Sequence, residues 1–418
     1  MIRTLSQSLR RVSLTAWIFV GILAGVAAGF GIGTPVVPLA SLIGGLFLRL
    51  LRMVIIPLIL TSITSGVLGV GSSRNLGRLG LKTLTYYLIT SLLAIITGLL
   101  LTNLIRPGVG ADLGFNQEVN ADTLRSCSLQ DILYRLIPEN PIASMAQGDI
   151  LPLIFFCILL GVFITQLDDR YRTMLSELFT GGFELMMKMT HFVIAFAPLG
   201  VFGLVAKITA TTGLAAFKSL GLYFITVLIG LLIHFWLTLP GLIFILTRYH
   251  PYRFMKAMGA ALLTAFTTAS SSATLPLTLG CSEQKAGISN KISSFVLPLG
   301  ATVNMDGTAL YECAAVLFIA QVYGIELGLT AQLVVIVTAL LASIGAAGIP
   351  MAGLVMMTIV LRAVGLPLEG IGLILAVDQI LDMFRTATNV WSDSCGALII
   401  AKSENEVTFL RPKLDRYL

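Results

Sequence analysis

Charge is what this sequence has least of. Only 11% of its 418 residues are Asp, Glu, Lys or Arg, against 56% hydrophobic residues and a mean hydropathy of +0.93. No polar stretch is long enough for a soluble domain of any size, which excludes a soluble enzyme or scaffold. Histidine is also scarce, with only His191, His234 and His250. The five cysteines form no CxxC and no Cys/His cluster, so neither a zinc site nor a disulfide framework is indicated, and no cofactor is implied. Only Cys127 falls in a polar external segment. There is no N-x-S/T sequon, so nothing marks a glycosylated animal surface protein and a prokaryotic source is favoured. The excess of 27 Lys and Arg over 21 Asp and Glu sits at segment ends, where membrane orientation explains it and nucleic acid does not.

Long apolar runs fill the rest of the chain. The first follows a basic head; it is too long for a signal-peptide core and lacks a clear small-residue cleavage site, so it reads as a transmembrane helix. Spans are expected at 13 to 33, 36 to 70, 83 to 105, 150 to 166, 176 to 208 and 219 to 247. Three basic groups orient them: Arg3, Arg10 and Arg11; Arg74, Arg78 and Lys82; and Arg248, Arg253 and Lys256 all belong on the cytoplasmic side. The 106 to 149 loop, with six acidic residues against three arginines, belongs outside. Arg49 and Arg52 interrupt the second span, and snorkelling stems on a tilted helix account for them.

Beyond residue 256 the apolar stretches shorten, gain Gly, Ala, Ser and Thr, and are broken by Pro. AALLTAFTTASSSATLPLTLG and ALLASIGAAGIPMAGLVMMTIVL each hold two arms around a small-residue tip. Neither arm alone spans a bilayer, so each stretch reads as a re-entrant hairpin whose tip is satisfied inside protein or a wet cavity. A long helix with a polar interruption follows each, at 293 to 322 and again from 371. The first hairpin enters from the cytoplasm and the second from outside, so the units are inverted repeats, the pattern of a secondary transporter. Lys402, Arg411, Lys413 and Arg416 then return to the cytoplasm, as does the N-terminus. The fold class is an all-α polytopic membrane protein with eight transmembrane helices and two re-entrant hairpins. Residues 1–250 hold six helices, 251–405 the core, and 406–418 a cytoplasmic tail.

The final helix carries the chemistry. In DMFRTATNVWSD, residues Asp382, Arg385, Thr386, Asn389 and Asp393 fall within an arc of about 100°, and Asp378 lies on the same side. Each charge at the bilayer centre costs at least ~2.5 to 3.5 kcal/mol, so the stripe needs partners. A structural Asp382–Arg385 ion pair is one reading. Against it, the stripe is richer in acid than in base, and the preceding helix adds Asp306. Asp306, Asp382 and Asp393 against Arg385 alone leave an excess of two negatives if all are ionised, which cations must balance. In NMDGT, Asn304, Asp306 and Thr308 sit beside Gly307, where unwinding is expected to expose carbonyls as hard oxygen ligands suited to an alkali cation. Tyr87, Thr90 and Ser91 on the third span are further oxygen donors, though hydroxyls in membrane helices usually back-bond. The tip serines Ser270, Ser271 and Ser272, and the tip at Gly348 and Pro350, lie where helix ends offer free N–H groups to carboxylates; loop filler is the plainer reading of three serines.

ASSSATLP, NMDGTALYE, AAGIP followed by AG, and DMFRTATNVWSD, in this order and spacing, resemble the glutamate transporter family, the dicarboxylate/amino acid:cation symporters. FLRLLRMVIIPLIL and YYLITS extend the likeness over nearly the whole chain. The resemblance implies a homotrimer in the lipid bilayer, with spans 1, 2, 4 and 5 as scaffold and spans 3, 6, 7 and 8 with both hairpins as an elevator-type transport domain. The 328 to 365 hairpin would be the external gate. It implies that Arg385 takes a substrate side-chain carboxylate and Asp382 the ammonium, with Asn389, Thr308, Thr386, Ser271, Ile349 and Gly353 completing the pocket. Sodium, as a co-transported ligand, would be held by Gly300, Asn304, Asn389 and Asp393; by Thr302, Met305, Ser343 and Ile344; and by Tyr87, Thr90, Ser91, Asn304 and Asp306. Glu312 resembles the proton-carrying glutamate of the animal members, beside the plainer reading of a glutamate hydrogen-bonded within its helix. Ala269 and Met383 stand where many members carry an auxiliary arginine.

The resulting expectation is a symporter of the cell membrane, the inner membrane in a prokaryote, coupling sodium, with a proton as a further coupling ion, to uptake of glutamate or aspartate. The alternatives within the class are C4-dicarboxylate and neutral amino acid symport, disfavoured by Asp382 and Arg385 respectively. An intramembrane hydrolase is disfavoured because no histidine lies near the serine run in sequence and neither Asp306 nor Asp382 has a GxGD setting, so no enzyme activity is expected.

Overall fold

Backbone polar groups have no water to bond in hydrocarbon, so continuous apolar runs must close their hydrogen bonds within the segment. The computed structural model describes residues 14–71, 77–110, 137–147, 150–212, 215–344 and 352–406, and these residues form helices joined by short turns. The tip AAGIP with Ile349, the basic N-terminal residues, Arg74, Cys127 and the tail after residue 406 lie outside the described residues.

Four N-terminal helices fall on the expected spans, α1 Leu14–Ile32, α2 Val37–Gly71, α3 Gly77–Ile105 and α5 Ile150–Thr165, while α4 Pro141–Gln147 is a short helix within the stretch read as an external loop. Arg49 is exposed on α2, as a snorkelling stem would be. The single span expected at 176 to 208 is instead two helices, α6 Asp169–Ile194 and α7 Ala197–Thr212, bent by 50°. Pro198 explains the break, since its ring lacks an N–H and would press on the Ile194 carbonyl in a continuous helix. The sixth span begins as α8 Ala215–Ile233, widens into a π turn at His234–Thr238, and ends as α9 Leu239–Thr247.

The second half repeats a pattern of two short helices and one long one. α10 Pro251–Thr268 ends at Ala269 in the left-handed region (φ 49°), and extended Ser270 caps α11 Ser271–Gly280 by accepting from the Ala273 N–H at 3.2 Å. α12 Asn290–Val303 and α13 Asp306–Val322 follow, then α14 Leu329–Ile344, α15 Ala352–Ala363 and α16 Ile371–Ser403. Among the described residues, three stretches are long and apolar enough to cross a membrane alone: Arg78–Ile105, Lys218–Thr247 and Asn290–Val322; the bent α6–α7 pair makes a fourth. α16 has the length, but its four charged residues between Asp378 and Asp393 set it apart from a lipid-facing helix.

The α12–α13 stretch is the centre of the molecule. Its apolar window is 100% buried, against 33% for α3, and α3, α8, α14, α15 and α16 pack around α13. Ionic clasps tie the elements together beyond the apolar core. Arg78 and Lys82 of α3 reach Glu404 just past α16, at 2.5 and 2.6 Å, and Glu406 accepts from both the backbone N–H and the hydroxyl of Ser289 ahead of α12. The hydrogen bond from Lys82, aided by Arg78, lowers the Glu404 pKa below the usual carboxylate value. A lowered folded-state pKa contributes stability that is present above the unfolded value and lost as pH falls through the folded one. The melting-temperature difference between the parent protein and Glu404→Gln should therefore be present at pH 7, vanish at acid pH below the carboxylate range, and shrink in high salt. A difference independent of pH would assign the loss to packing.

Candidate functional site

Five carboxylic acids and one guanidinium are buried in the described residues. Among the described residues, Asp306, Glu312, Asp378, Asp382 and Asp393 are each at most 5% exposed, and Arg385 is the only buried Lys or Arg. Arg385 uses one nitrogen for both neighbours on α16: Nη2 donates to Asp382 Oδ1 at 2.7 Å and lies 3.1 Å from Asp378 Oδ1. Its Cζ rests 3.9 Å from the centre of the Tyr311 ring. Nε and Nη1 have no hydrogen-bond partner. Half of the planar fork is thus free in a buried site, where an unsatisfied donor is costly.

The helix break lies slightly before the position expected from the sequence. Asn304 (φ −100°, ψ 87°) and Met305 (φ −115°, ψ 56°) are the non-helical residues, and Gly307 lies inside the first turn of α13. Gly307 does not loosen the helix; it lets α16 come close. A Cβ there would lie 2.8 Å from the Arg385 carbonyl oxygen and 3.0 Å from its Cα, and the Gly307 N–H donates to Asn389 Oδ1 at 2.8 Å. Asn389 Nδ2 in turn reaches Met305 Sδ at 3.2 Å and Thr308 Oγ1 at 3.3 Å. Asn389, Thr308 and Met305 are therefore brought together, with Thr386 buried one turn away on α16.

A second constellation joins α3, α12, α13 and α16. Asn304 Nδ2 donates to Asp393 Oδ1 at 2.8 Å and to Ser392 Oγ at 3.0 Å, and Thr90 Oγ1 lies 3.4 Å from Asn304 Oδ1. Ser91 donates to Asp306 Oδ1 at 2.7 Å and Ser392 to Oδ2 at 2.6 Å. The Tyr87 hydroxyl is committed to the Val296 carbonyl at 2.6 Å and lies beside Gly300, where a Cβ would meet it at 2.7 Å. Gly300 thus leaves space between Tyr87 and Asp393. Thr302 and Ser343 bond to their own helices, at the Leu299 and Leu340 carbonyls, and not to each other. Ser271 is buried at the start of α11. Ile349 is outside the described residues, as is the side chain of Ile344.

Three contributors escape a reading of sequence alone: Ser392, Asp378 as a direct partner of Arg385, and His234, whose Nε2 lies 3.1 Å from Asp306 Oδ2. A lone polar residue in an apolar span was the available signal for His234.

Residues 14–403 match the sodium:dicarboxylate symporter family. The chain belongs to this family. It is 36% identical to excitatory amino acid transporter 3 of Mus musculus, over 94% of this chain and 86% of that protein. It is 36% identical to an excitatory amino acid transporter of Caenorhabditis elegans, covering 96% and 88%. It is 35% identical to the proton/glutamate-aspartate symporter of Escherichia coli K12, covering 89% and 86%. Within this symporter family member, Gly353 is the α15 residue turned to the guanidinium: an added Cβ would lie 3.0 Å from Arg385 Cζ and nearer still to Nη1. Gly353→Ala should overpack the site and cost about 1–3 kcal/mol, read as a lower melting temperature of the purified protein. Unchanged melting would mean that the guanidinium does not rest there.

Proposed function

We propose that the chain is a secondary active symporter that couples sodium entry, with a proton as a further coupling ion, to uptake of an acidic amino acid, glutamate or aspartate. The observation that carries this reading is the half-used guanidinium: Nε and Nη1 of buried Arg385 are without partners while Asp382 stands 2.7 Å from Nη2. A carboxylate can accept a charge-assisted hydrogen bond from the unpartnered Nη1, and an ammonium can pair with Asp382, so an acidic zwitterion matches both. A dicarboxylate would bring a second negative charge beside Asp382 and no ammonium to meet it. The names borne by the mammalian and bacterial relatives support the same substrate class.

The cluster of Asn304, Asp306, Asn389 and Asp393 offers hard oxygens and an excess of negative charge, which suits sodium as cargo. Gly300, the Met305 backbone, Thr90, Ser91 and Tyr87 would contribute oxygens to these ions, and Thr302, Ser343 and Ile344 to one near the second hairpin. The pocket for substrate would be completed by Thr308, Thr386, Ser271, Ile349 and Gly353. We assign α10–α11 and α14–α15 as re-entrant hairpins that are inverted repeats of one another, the second being the outer gate. Eight crossings, a transport domain built from 251–405 with spans 3 and 6, elevator motion against a trimeric scaffold, and cytoplasmic termini in a cell membrane complete the proposal.

Glu312 is the candidate proton carrier, as both of its oxygens are buried without a hydrogen-bond partner. In proteoliposomes, Arg385→Ala should abolish sodium-driven aspartate uptake; unchanged aspartate affinity would remove the assignment. Glu312→Gln should flatten the pH dependence of uptake while transport persists, and a profile identical to the parent's would leave Glu312 structural.

A further inference from the structure

His234 is the one buried histidine, fully enclosed in the sixth span, and the symport chemistry above does not use it. Its place depends on the π turn His234–Thr238, a device that re-aims side chains and is concentrated at functional sites. The widened turn leaves the Phe235 carbonyl reachable from the side, and the Trp391 indole N–H on α16 donates to it at 3.1 Å. Trp391 therefore fastens the π turn to the helix that carries Ser392 and Asp393. His234 then points at Asp306, with Nε2 3.1 Å from Oδ2.

Oδ2 also accepts from Ser392 at 2.6 Å, while Oδ1 accepts from Ser91 at 2.7 Å. An ionised carboxylate only accepts, so the imidazole nitrogen facing it carries the hydrogen. Two donors on one oxygen fix the carboxylate plane and leave the remaining lone pair of Oδ1 for a cation. An outer donor that orients a ligating carboxylate commonly sets ion affinity without touching the ion.

We infer that His234 is a positioning residue for sodium: its Nε2–H, held in place by the π turn and Trp391, aims Asp306 at the ion. This rests on the reading of Asp306 as a sodium ligand. The test is a sodium titration of purified, substrate-free protein with choline replacement at constant ionic strength, read as thermal stabilisation. His234→Ala and His234→Asn should raise the half-saturating sodium about tenfold, the loss of one charge-assisted hydrogen bond. His234→Gln, whose amide reaches the position of Nε2, should stay within about threefold of the parent. In an Asp306→Asn background, His234→Ala should add no further shift. A merely structural histidine would lower the melting temperature equally at every sodium concentration, and that result, or Gln and Asn behaving alike, would overturn the inference. The Gln–Asn comparison decides if the Ala variant fails to fold. A parent protein indifferent to sodium would refute the sodium-site reading itself and this inference with it; a sodium response unmoved by any His234 substitution would refute only the inference.

Discussion

An excess of buried carboxyl groups over a single buried guanidinium is the constraint on which the rest of this structure depends. Charge inside a membrane is expensive, and five acids against Arg385 cannot neutralise one another. Asp306 and Asp393 instead take hydroxyl, amide and imidazole partners, and in the proposed reading sodium adds to these. The energetic incompleteness of this set makes it suited to carrying ions and substrate together.

The scaffold around that set is arranged to bring backbone close. α13 is enclosed on all sides, and Gly307 and Gly353 remove side chains where α16 and its guanidinium approach. The two-residue break at Asn304–Met305 turns Asn304 toward Asp393 on one side and leaves the Met305 sulfur to Asn389 on the other. In the proposed assignment, ion and substrate groups share Asn389 and the broken helix, a short physical path for coupling the two.

Much of this was legible in the order of residues. The apolar runs gave the helices, because length and hydropathy dictate helix in hydrocarbon. The polar stripe on α16 and the acid at 306 could be placed by periodicity alone. The bend before Pro198 has its signal in the proline itself, although the continuous apolar run reads as one long span. Gly307 reads in sequence as a loosening element, whereas its role is close contact; composition cannot tell a glycine needed for conformation from one needed for space.

The sequence by itself determined that the chain is helical, that the last long helix gathers its acids and Arg385 on one stripe, and which residue types could serve an alkali cation and an acidic zwitterion. Those follow from local hydrophobicity and helical period. Only the tertiary structure decided which donors meet which carboxylates: Ser392 and His234 on Asp306, Asp378 on Arg385, Trp391 on the π turn. The sequence separations there, 72 residues between His234 and Asp306 and 86 between Ser392 and Asp306, exceed anything periodicity can register. Such partners are chosen by packing, where each buried polar group takes the nearest atom able to satisfy it.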